Sequence, residues 1–433
     1  MDYQMLNVNQ KIVFKRIESH YHNTLEGRQD EPLIIIVMGT AGTGKTYLIE
    51  AIRCRLREMA GGPKSPIAVL ALTGVAAFNI EGITIHSGLS ILIVNDANCL
   101  DISGERLKQL QDKLKDVSYV IIDEKSMVGR QMLAIIDKRL QQAFPEYNNE
   151  PFGGRSIILF GDFGQLPPVL DLPMYADTKR GSLFNSGIAA YKQFKEVYKL
   201  EIAQRQSGNS KEQQNFRNIL LRLHNGESTI DDWKILTTRI EDKLSIIECS
   251  RFSDALFILT KWSEVNVSHV NGKLTDRRRA SQWFNGNCLR HNIQRRSGSP
   301  SLPIAVLISF DNYKGLTITS LEGKRVVPIV PIRRTWNGKS EAPCSRLQIP
   351  VRLAWAITVH KSQGLTLQKA TIDLGDKEFI AGLAFMAVSR VRALEDLLFK
   401  PFNFKRLQRI KECTRLKERL AKEKRLVSMM PGN

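Results

Sequence analysis

Long apolar stretches are missing from this sequence of 433 residues. Runs such as Leu33–Met38 fall far short of the ~20 residues that a helix needs to cross a bilayer, so we expect no membrane partner. The opening residues lack a basic segment followed by an apolar one, and no secretory signal is expected. None of the six cysteines forms a CxxC pair. This argues against a zinc knuckle or a disulfide framework and favours free thiols in a reducing compartment.

Acidic residues are scarce only in the second part of the chain. Residues 1–250 contain 30 Lys and Arg against 30 Asp and Glu, whereas residues 251–433 contain 33 against 14. The whole net charge of +19 therefore lies in the C-terminal part. From composition alone, a surface that binds a polyanion and a solvated basic face are both open interpretations.

The first 200 residues alternate short apolar runs with helical stretches. The runs are rich in Val, Ile and Leu and are continuous, which is typical of strands buried on both faces of a parallel sheet. A doubly wound α/β fold is the prediction. The predicted strands are Leu33–Met38, Ile67–Leu72, Val117–Ile122 and Ser156–Phe160, and the predicted helices include Lys45–Met59 and Arg130–Phe144.

The second part is less regular. Residues 271–300 are polar and basic, which predicts a loop, and residues 301–350 contain short apolar runs broken by Pro and Gly, which predict a small β module. Further apolar runs occur at Ala255–Thr260, Ile304–Ser309, Val326–Ile332, Leu353–Val359 and Ala370–Leu374. From Phe404 onward we predict a helix with Leu407, Ile410, Leu416 and Leu420 near one face and basic residues elsewhere.

A glycine-rich motif follows the first predicted strand and opens a helix. It fits GxxxxGK[ST] and consists of Gly39, Thr40, Ala41, Gly42, Thr43, Gly44, Lys45 and Thr46. Its glycines allow backbone N–H groups to wrap a phosphate, and the helix N-terminus adds partial positive charge. We expect Lys45 to reach the β- and γ-phosphates of ATP and Thr46 to bind Mg²⁺.

Two acids end another predicted strand. Asp123 and Glu124 follow Val117–Ile122, and in such sheets the carboxyl ends of the strands face the ligand crevice. We expect Asp123 to hold Mg²⁺ and Glu124 to orient and deprotonate the attacking water. Together with the glycine-rich motif, these residues predict a P-loop NTPase that uses ATP and Mg²⁺.

A further set of motifs, in a fixed order, is more specific. It comprises Ala71–Ile80, Gly82–Ser87, Asp123–Met127, Pro151–Gly154, Gly161–Val169, Arg205-Gln206, Leu353–Gly364 and Ala387–Arg392. This set resembles the Pif (petite integration frequency) family of superfamily 1 DNA helicases over about residues 5–400.

The resemblance implies an α/β fold with two RecA-like domains, parallel sheets and 5′→3′ movement on single-stranded DNA. We expect an N-terminal RecA-like domain at residues 1–200, with a small insertion at about 87–116. The C-terminal RecA-like domain would span residues 201–433, with a β-rich insertion, partly missing, at about 265–345 and a basic helix at about 404–426.

The resemblance also implies roles for individual residues. Gln10 would contact the adenine edge, although an exposed glutamine on a first helix is a serious alternative. Gln165 would sense the γ-phosphate, and Arg205 and Arg390 would reach it as arginine fingers. DNA contacts would come from Thr73, Thr84, His86, Thr358, His360 and Lys361. Phe78 and Trp355 are either platforms for base stacking or core residues.

The sequence also departs from the family pattern. The stretch between the strands at 255–260 and 304–309 is short and lacks a Leu-Val-Asn-Gly turn, which puts strand separation in doubt. Three functions therefore stand: a DNA helicase in repair, recombination and telomere maintenance, a degenerate DNA-binding ATPase, or a transposon-derived helicase module. We expect a monomer that binds single-stranded and forked DNA. Nuclear residence is expected, with the mitochondrion as the alternative.

Overall fold

A computed structural model of the chain describes residues 2–28, 30–62, 65–91, 101–176, 178, 181–261, 263–265, 286–291, 302–310, 315–319, 325–337, 343–351, 355–376 and 380–431. Contacts divide the chain into two compact units. The first unit comprises Met1–Ile246 and Val359–Asn433, and the second comprises Ile247–Thr358. The predicted division at residue 200 stays a prediction.

The strands are numbered in chain order. They are β1 (Ile34–Gly39), β2 (Ile67–Ala71), β3 (Ile83–Thr84), β4 (Tyr119–Asp123), β5 (Ser156–Gly161), β6 (Glu196–Leu200), β7 (Leu256–Leu259), β8 (Gly286–His291), β9 (Val306–Phe310), β10 (Ile318–Thr319), β11 (Arg325–Ile329), β12 (Ile332–Asn337), β13 (Pro343–Gln348), β14 (Ala356–Thr358), β15 (Ala370–Asp373) and β16 (Leu397–Phe399).

The α-helices are numbered in the same way. They are α1 (Val8–Leu25), α2 (Lys45–Ala60), α3 (Gly74–Asn79), α4 (Ile85–Gly88), α5 (Gly104–Leu114), α6 (Arg130–Ala143), α7 (Ser182–Lys192), α8 (Lys211–Asn225), α9 (Ile230–Thr237), α10 (Ile246–Ser250), α11 (Leu383–Val388), α12 (Phe404–Gln408) and α13 (Thr414–Val427). Among the residues that the structure describes, no helix is both long and apolar enough to span a membrane.

The first unit is built around a six-stranded sheet in the order β3-β2-β4-β5-β1-β6. All of its pairings are parallel, and every residue of β4 and β5 is buried. The continuous apolar runs of these strands fit burial on both faces, because helices cover each side of a parallel sheet. The predicted α/β fold with a parallel sheet is confirmed. Its carboxyl edge collects the ends of β1, β4 and β5, where the predicted nucleotide motifs lie.

The C-terminal segment of this unit packs into the core. In place of one helix over 404–426, the structure has α12, a 3₁₀ turn at Arg409–Glu412 and then α13. Cys413 has extended backbone angles, which separates the turn from α13. Leu416 and Leu426 of α13 are buried, and Leu426 belongs to the core around the six-stranded sheet. The segment is therefore a packed element with a basic outer face.

The second unit is rich in antiparallel strands, which confirms the predicted β module. Its largest sheet has the order β10-β11-β9-β8, with antiparallel neighbours throughout. β12 and β13 form a separate antiparallel pair, called the β12–β13 ribbon here, and β7 pairs in parallel with β14. The prediction of a loop is wrong at Gly286–His291, which is strand β8. The rest of 271–300 lies outside the described residues.

Candidate functional site

The glycine-rich motif forms a tight loop between β1 and α2. Gly42 and Gly44 have φ values of +84° and +79°, a left-handed backbone that glycine adopts without a steric penalty. Gly39 packs closely, since a Cβ there would lie 2.5 Å from Thr43 Oγ1. The Thr43 hydroxyl donates to the carbonyl of Thr40 at 3.0 Å. The loop therefore has the compact form that a phosphate cradle needs.

Lys45 begins helix α2 and lies across the mouth of this loop. Its ammonium group donates to the carbonyl oxygens of Gly39 at 2.7 Å and Thr40 at 3.0 Å. These bonds keep the positive charge beside the helix N-terminus, where an anion would also be stabilised. The predicted phosphate-binding residues are thus brought together.

Gln10 lies against the same loop, but its amide groups are engaged with protein atoms. Its Oε1 accepts from the Asn7 N–H, and its own N–H donates to Asn7 Oδ1, each at 3.0 Å. Its Nε2 donates to the Gly44 carbonyl at 3.1 Å. Gln10 is buried, so the alternative of an exposed glutamine is wrong. Its contact with adenine stays a prediction.

Asp123 is the last residue of β4, and its carboxylate is buried. Burial and the neighbouring negative charge of Glu124 together raise the pKa of Asp123 to about 7, while the positive charge of Lys45 opposes them. Asp123 Oδ1 has no hydrogen-bond partner among the described residues. A buried carboxylate oxygen without a partner is costly, and a divalent cation would satisfy it. Asp123 and the Thr46 hydroxyl, which line the same cavity, offer the oxygen ligands that Mg²⁺ prefers.

Glu124 is held by a residue for which the sequence analysis predicts no role. The backbone of Glu124 is left-handed, with φ +54°, and its carboxylate is buried. Gln363 Nε2 donates to Glu124 Oε2 at 2.8 Å and to Gln165 Oε1 at 3.2 Å. Gln363 therefore links the predicted catalytic base to the predicted γ-phosphate sensor. Its membership of the 353–364 motif was the only signal, since a lone glutamine has no distinctive chemistry.

The two predicted arginine fingers lie close enough to influence each other. Burial and the positive charge of Arg205 together lower the pKa of Arg390 to about 9. Arg205 Nη1 donates to the Ser389 carbonyl at 3.0 Å, which ties it to the residue before Arg390. Burial also lowers the pKa of Arg205. Two like charges in a buried site favour an anionic ligand between them.

These groups line one cavity of about 1020 Å³ in the first unit, a volume at the upper end for ligand pockets. Acidic groups, an ammonium and two guanidinium groups all line this cavity. Its lining includes Ala41, Gly42, Gly44, Lys45, Thr46, Asp123, Glu124, Gln165, Arg205 and Arg390. The predicted nucleotide residues are therefore assembled from distant parts of the sequence.

Two of the predicted DNA-contacting threonines also shape the backbone. Thr73 follows β2 and Thr84 ends β3, at the same sheet edge as the glycine-rich loop. The Thr73 hydroxyl accepts from the Ala76 N–H and the Thr84 hydroxyl from the Ser87 N–H, each at 3.2 Å. Both are N-caps of short helices. The predicted phosphate contacts would therefore sit at helix N-termini, which suit anions.

The remaining predicted DNA contacts are partly exposed. His86 and His360 are half-buried, and burial lowers the pKa of each, which favours the neutral ring. Lys361 is exposed. Asn79 Nδ2 donates to the Gly364 carbonyl at 3.1 Å, which joins the 71–80 motif to the 353–364 motif. Thr358 belongs to the second unit.

Two aromatic residues near these motifs differ in exposure. Phe78 is 81% exposed, which excludes a core role and leaves its ring available for stacking. Trp355 is 8% exposed, as a core residue would be.

Comparison with curated proteins shows similar helicases in distant organisms. The chain is 29% identical over 438 residues to "ATP-dependent DNA helicase Pif1" of Psychrobacter, covering 84% of this chain and 65% of that protein. It is 28% identical over 398 residues to "ATP-dependent DNA helicase PIF1" of Xenopus laevis, covering 85% and 59%. The chain thus spans about three fifths of the length of these relatives.

Solved structures of Pif1 helicases share the fold. Bacteroides Pif1 bound to single-stranded DNA matches with a TM-score of 0.65 at 23% identity, covering 93% of this chain and 94% of that one. Bacteroides Pif1 with ADP-AlF3 and single-stranded DNA matches with a TM-score of 0.60 at 25% identity, covering 90% and 93%. The family model described as "PIF1-like helicase" matches residues 5–233, more than half of the chain. This chain therefore belongs to the PIF1-like helicase family.

Proposed function

We propose that the protein is an ATP-dependent DNA helicase that moves along single-stranded DNA. The observation that carries the proposal is the hydrogen bonding of Gln363. Gln363 closely follows His360 and Lys361, which are predicted to contact DNA, and it donates to Glu124 and Gln165 in the nucleotide cavity. A bound DNA strand that moves the 359–364 segment would change the environment of the Glu124 carboxylate. Coupling between two sites requires a physical link of this kind.

In this proposal the nucleotide is held from several sides. The backbone of the glycine-rich loop and Lys45 hold the phosphates, and Arg205 and Arg390 line the same cavity. Glu124 orients and deprotonates the attacking water, while Gln165 senses the γ-phosphate. Positioning and electrostatic stabilisation supply most of the catalysis in phosphoryl transfer, and the buried charges suit that chemistry.

We also propose that the nucleotide site binds Mg²⁺. Thr46 and Asp123 would hold it, and the partnerless Asp123 oxygen fits that role. The ion would neutralise negative charge on the β- and γ-phosphates. A cation bound there would also favour the ionised form of Asp123, whose pKa burial and Glu124 raise.

The direction of movement and the biological setting rest on the family resemblance. We propose 5′→3′ movement, single-stranded and forked DNA as substrates, and roles in repair, recombination and telomere maintenance. Relatives named as helicases and a solved structure whose subject is unwinding at forked duplex DNA support the substrate class. We also propose a monomer in the nucleus, or alternatively in the mitochondrion. Unwinding of a duplex with a 5′ tail but not one with a 3′ tail would support the direction, and the reverse would refute it.

A test of the coupling uses Gln363→Leu, which removes both hydrogen bonds at similar volume. We expect the variant to bind single-stranded DNA with a Kd within about twofold of wild type, because no DNA contact is removed. The stimulation of kcat by saturating DNA should fall about tenfold or more, since the link to Glu124 is lost. Steady-state ATP hydrolysis with and without oligonucleotide measures both quantities.

Gln368→Leu is the matched control, because Gln368 is an exposed glutamine a few residues after this segment. It should behave as wild type. Wild-type protein that hydrolyses ATP with no response to DNA would contradict the proposal and favour a degenerate DNA-binding ATPase. Full stimulation in Gln363→Leu would show that the coupling takes another route.

A further inference from the structure

The segment Asp162–Gln165, called the Gln165 loop here, follows β5 and presents Gln165 to the nucleotide cavity. Asp162 Oδ1 accepts from the Gly164 N–H at 2.8 Å, and the Asp162 carbonyl accepts from the Gln165 N–H at 3.2 Å. Gln165 also lines a second cavity of about 500 Å³. The Gln165 side chain is buried and accepts a hydrogen bond from Gln363, but that bond does not support the backbone of the loop.

The loop instead rests on His224 of α8. His224 Nε2 lies 2.9 Å from Asp162 Oδ1, and the two side chains are only 6% and 5% exposed. Burial disfavours the charged imidazole, but the Asp162 carboxylate outweighs it and raises the pKa of His224. A Cβ on Gly164 would lie 1.9 Å from His224 Nε2. The loop backbone therefore packs directly against the imidazole ring.

Arg419 of α13 supports the imidazole from the C-terminal end of the chain. It is 4% exposed, and its Nη2 donates to the His224 carbonyl at 2.6 Å. Its Nη1 would lie 2.4 Å from a Cβ on Gly164, and its Nε lies 3.7 Å from Glu423. An arginine this deeply buried is rare without such partners. The contacts of Arg419 thus converge on the Gln165 loop.

Helix α8 also contacts the segments that contain the two arginine fingers. Arg217 Nη1 donates to the carbonyls of Gln206 at 2.6 Å and Gly208 at 2.8 Å, just after Arg205. Gln213 Nε2 donates to the Arg392 carbonyl at 2.8 Å. The ring of His224 meets Phe385 of α11 edge-on, with centroids 4.9 Å apart. One helix therefore contacts the Gln165 loop and the segments that contain Arg205 and Arg390.

We propose that His224 and Arg419 are positioning residues for Gln165, so that α8 and the C-terminal helix α13 form part of the hydrolysis machinery. Neither residue lines the nucleotide cavity, and both act through the Gln165 loop. The inference rests on the proposed ATP hydrolysis. It assigns a catalytic consequence to α13, which lies outside every nucleotide motif in the sequence.

A metal site is the competing interpretation of the same cluster. One ligand atom from each of Asp162, His224 and Glu423 lies within 4.8 Å of the others. His224 Nε2 is already bonded to Asp162, however, and the guanidinium group of Arg419 adjoins all three. A divalent cation would have to break that bond and approach a positive charge. Hydrogen bonds and ion pairs therefore explain the short distances in this cluster better than a metal site does.

The test compares His224→Leu with His224→Gln. Leu removes the contact to Asp162, whereas the Gln side chain offers an amide N–H that reaches a similar position. We expect His224→Leu to lower the kcat of ATP hydrolysis about 10- to 100-fold, as small misplacements of catalytic groups do. The KM for ATP should stay within about twofold, because the glycine-rich loop is unchanged. His224→Gln should recover kcat to within about threefold of wild type, and Arg419→Met should resemble His224→Leu.

A double mutant separates positioning from general destabilisation. If His224 acts through Gln165, then His224→Leu should cost little further activity in a Gln165→Ala background. Additive losses would overturn the inference, as would equal losses in the Leu and Gln variants. Stoichiometric binding of a fluorescent ADP analogue confirms that each variant is folded, and Lys417→Met, an exposed neighbour on α13, is the control.

The outcomes also separate this inference from the proposed function. Wild-type protein without ATP hydrolysis would overturn both. Active wild-type protein together with a fully active His224→Leu variant would overturn only the positioning role. A rise in Tm on addition of Zn²⁺ that is present in wild type and lost in His224→Leu would overturn it in favour of a metal site.

Discussion

The six-stranded sheet and the β12–β13 ribbon place their side chains in opposite surroundings. Every residue of β4 and β5 is buried, whereas most residues of β13 are exposed. The ribbon also pairs Arg334 directly with Arg346 across its strands, and like charges in that position repel. Burial of its side chains therefore accounts for the six-stranded sheet. The ribbon keeps a repulsive pair that packing does not explain, and its basic surface suits a polyanion.

Equivalent truncations should destabilise the protein far more in the six-stranded sheet than in the β12–β13 ribbon. Ile158→Ala in β5 should lower the free energy of unfolding by about 2–5 kcal/mol, because it leaves a cavity in a fully buried site. Leu347→Ala in β13 should cost less than about 0.5 kcal/mol, since Leu347 is 46% exposed. Urea unfolding followed by circular dichroism measures both. Similar losses would show that the ribbon is packed more tightly than its exposure indicates.

Removing one arginine of the Arg334–Arg346 pair should have a smaller effect, mainly on DNA binding. Arg346→Gln should weaken binding of single-stranded DNA about two- to fivefold and reduce the salt slope of log K by about 0.7, the value for one phosphate contact on a single strand. Stability should rise by a few tenths of a kcal/mol, because the repulsion from Arg334 is relieved. Fluorescence anisotropy at several salt concentrations gives the slope. An unchanged salt slope would place the ribbon outside the DNA interface. The control variant is Lys192→Gln on α7.

Much of the nucleotide site could be predicted because its signals are local. The glycine-rich motif specifies its own backbone over eight successive residues, and Asp123 and Glu124 follow a strand that is apolar enough to be recognised. The structure brings these groups to one cavity with Gln165, Arg205 and Arg390. Local rules suffice where one element determines the geometry.

Other features depend on contacts between distant segments, and no local pattern in the sequence predicts them. Arg419 lies among basic residues that resemble a solvated helix face, yet it is buried against His224. Gln363 sits in a recognised motif, but its bond to Glu124 spans 239 positions of sequence. Strand β8 contains polar residues, and from those residues alone a loop is predicted. It is a strand because it pairs with β9, and intrinsic propensity does not reveal that pairing.

The contact between Gly164 and His224 has a consequence for how the chain can vary over time. Any side chain at residue 164 would collide with the imidazole ring and with Arg419. A smaller residue at 224 would have to arise before a substitution at 164 is tolerated, and that first change would remove the support of Asp162. The order of substitutions is therefore constrained. Residues 162, 164, 224 and 419 should change together in evolution or remain fixed together.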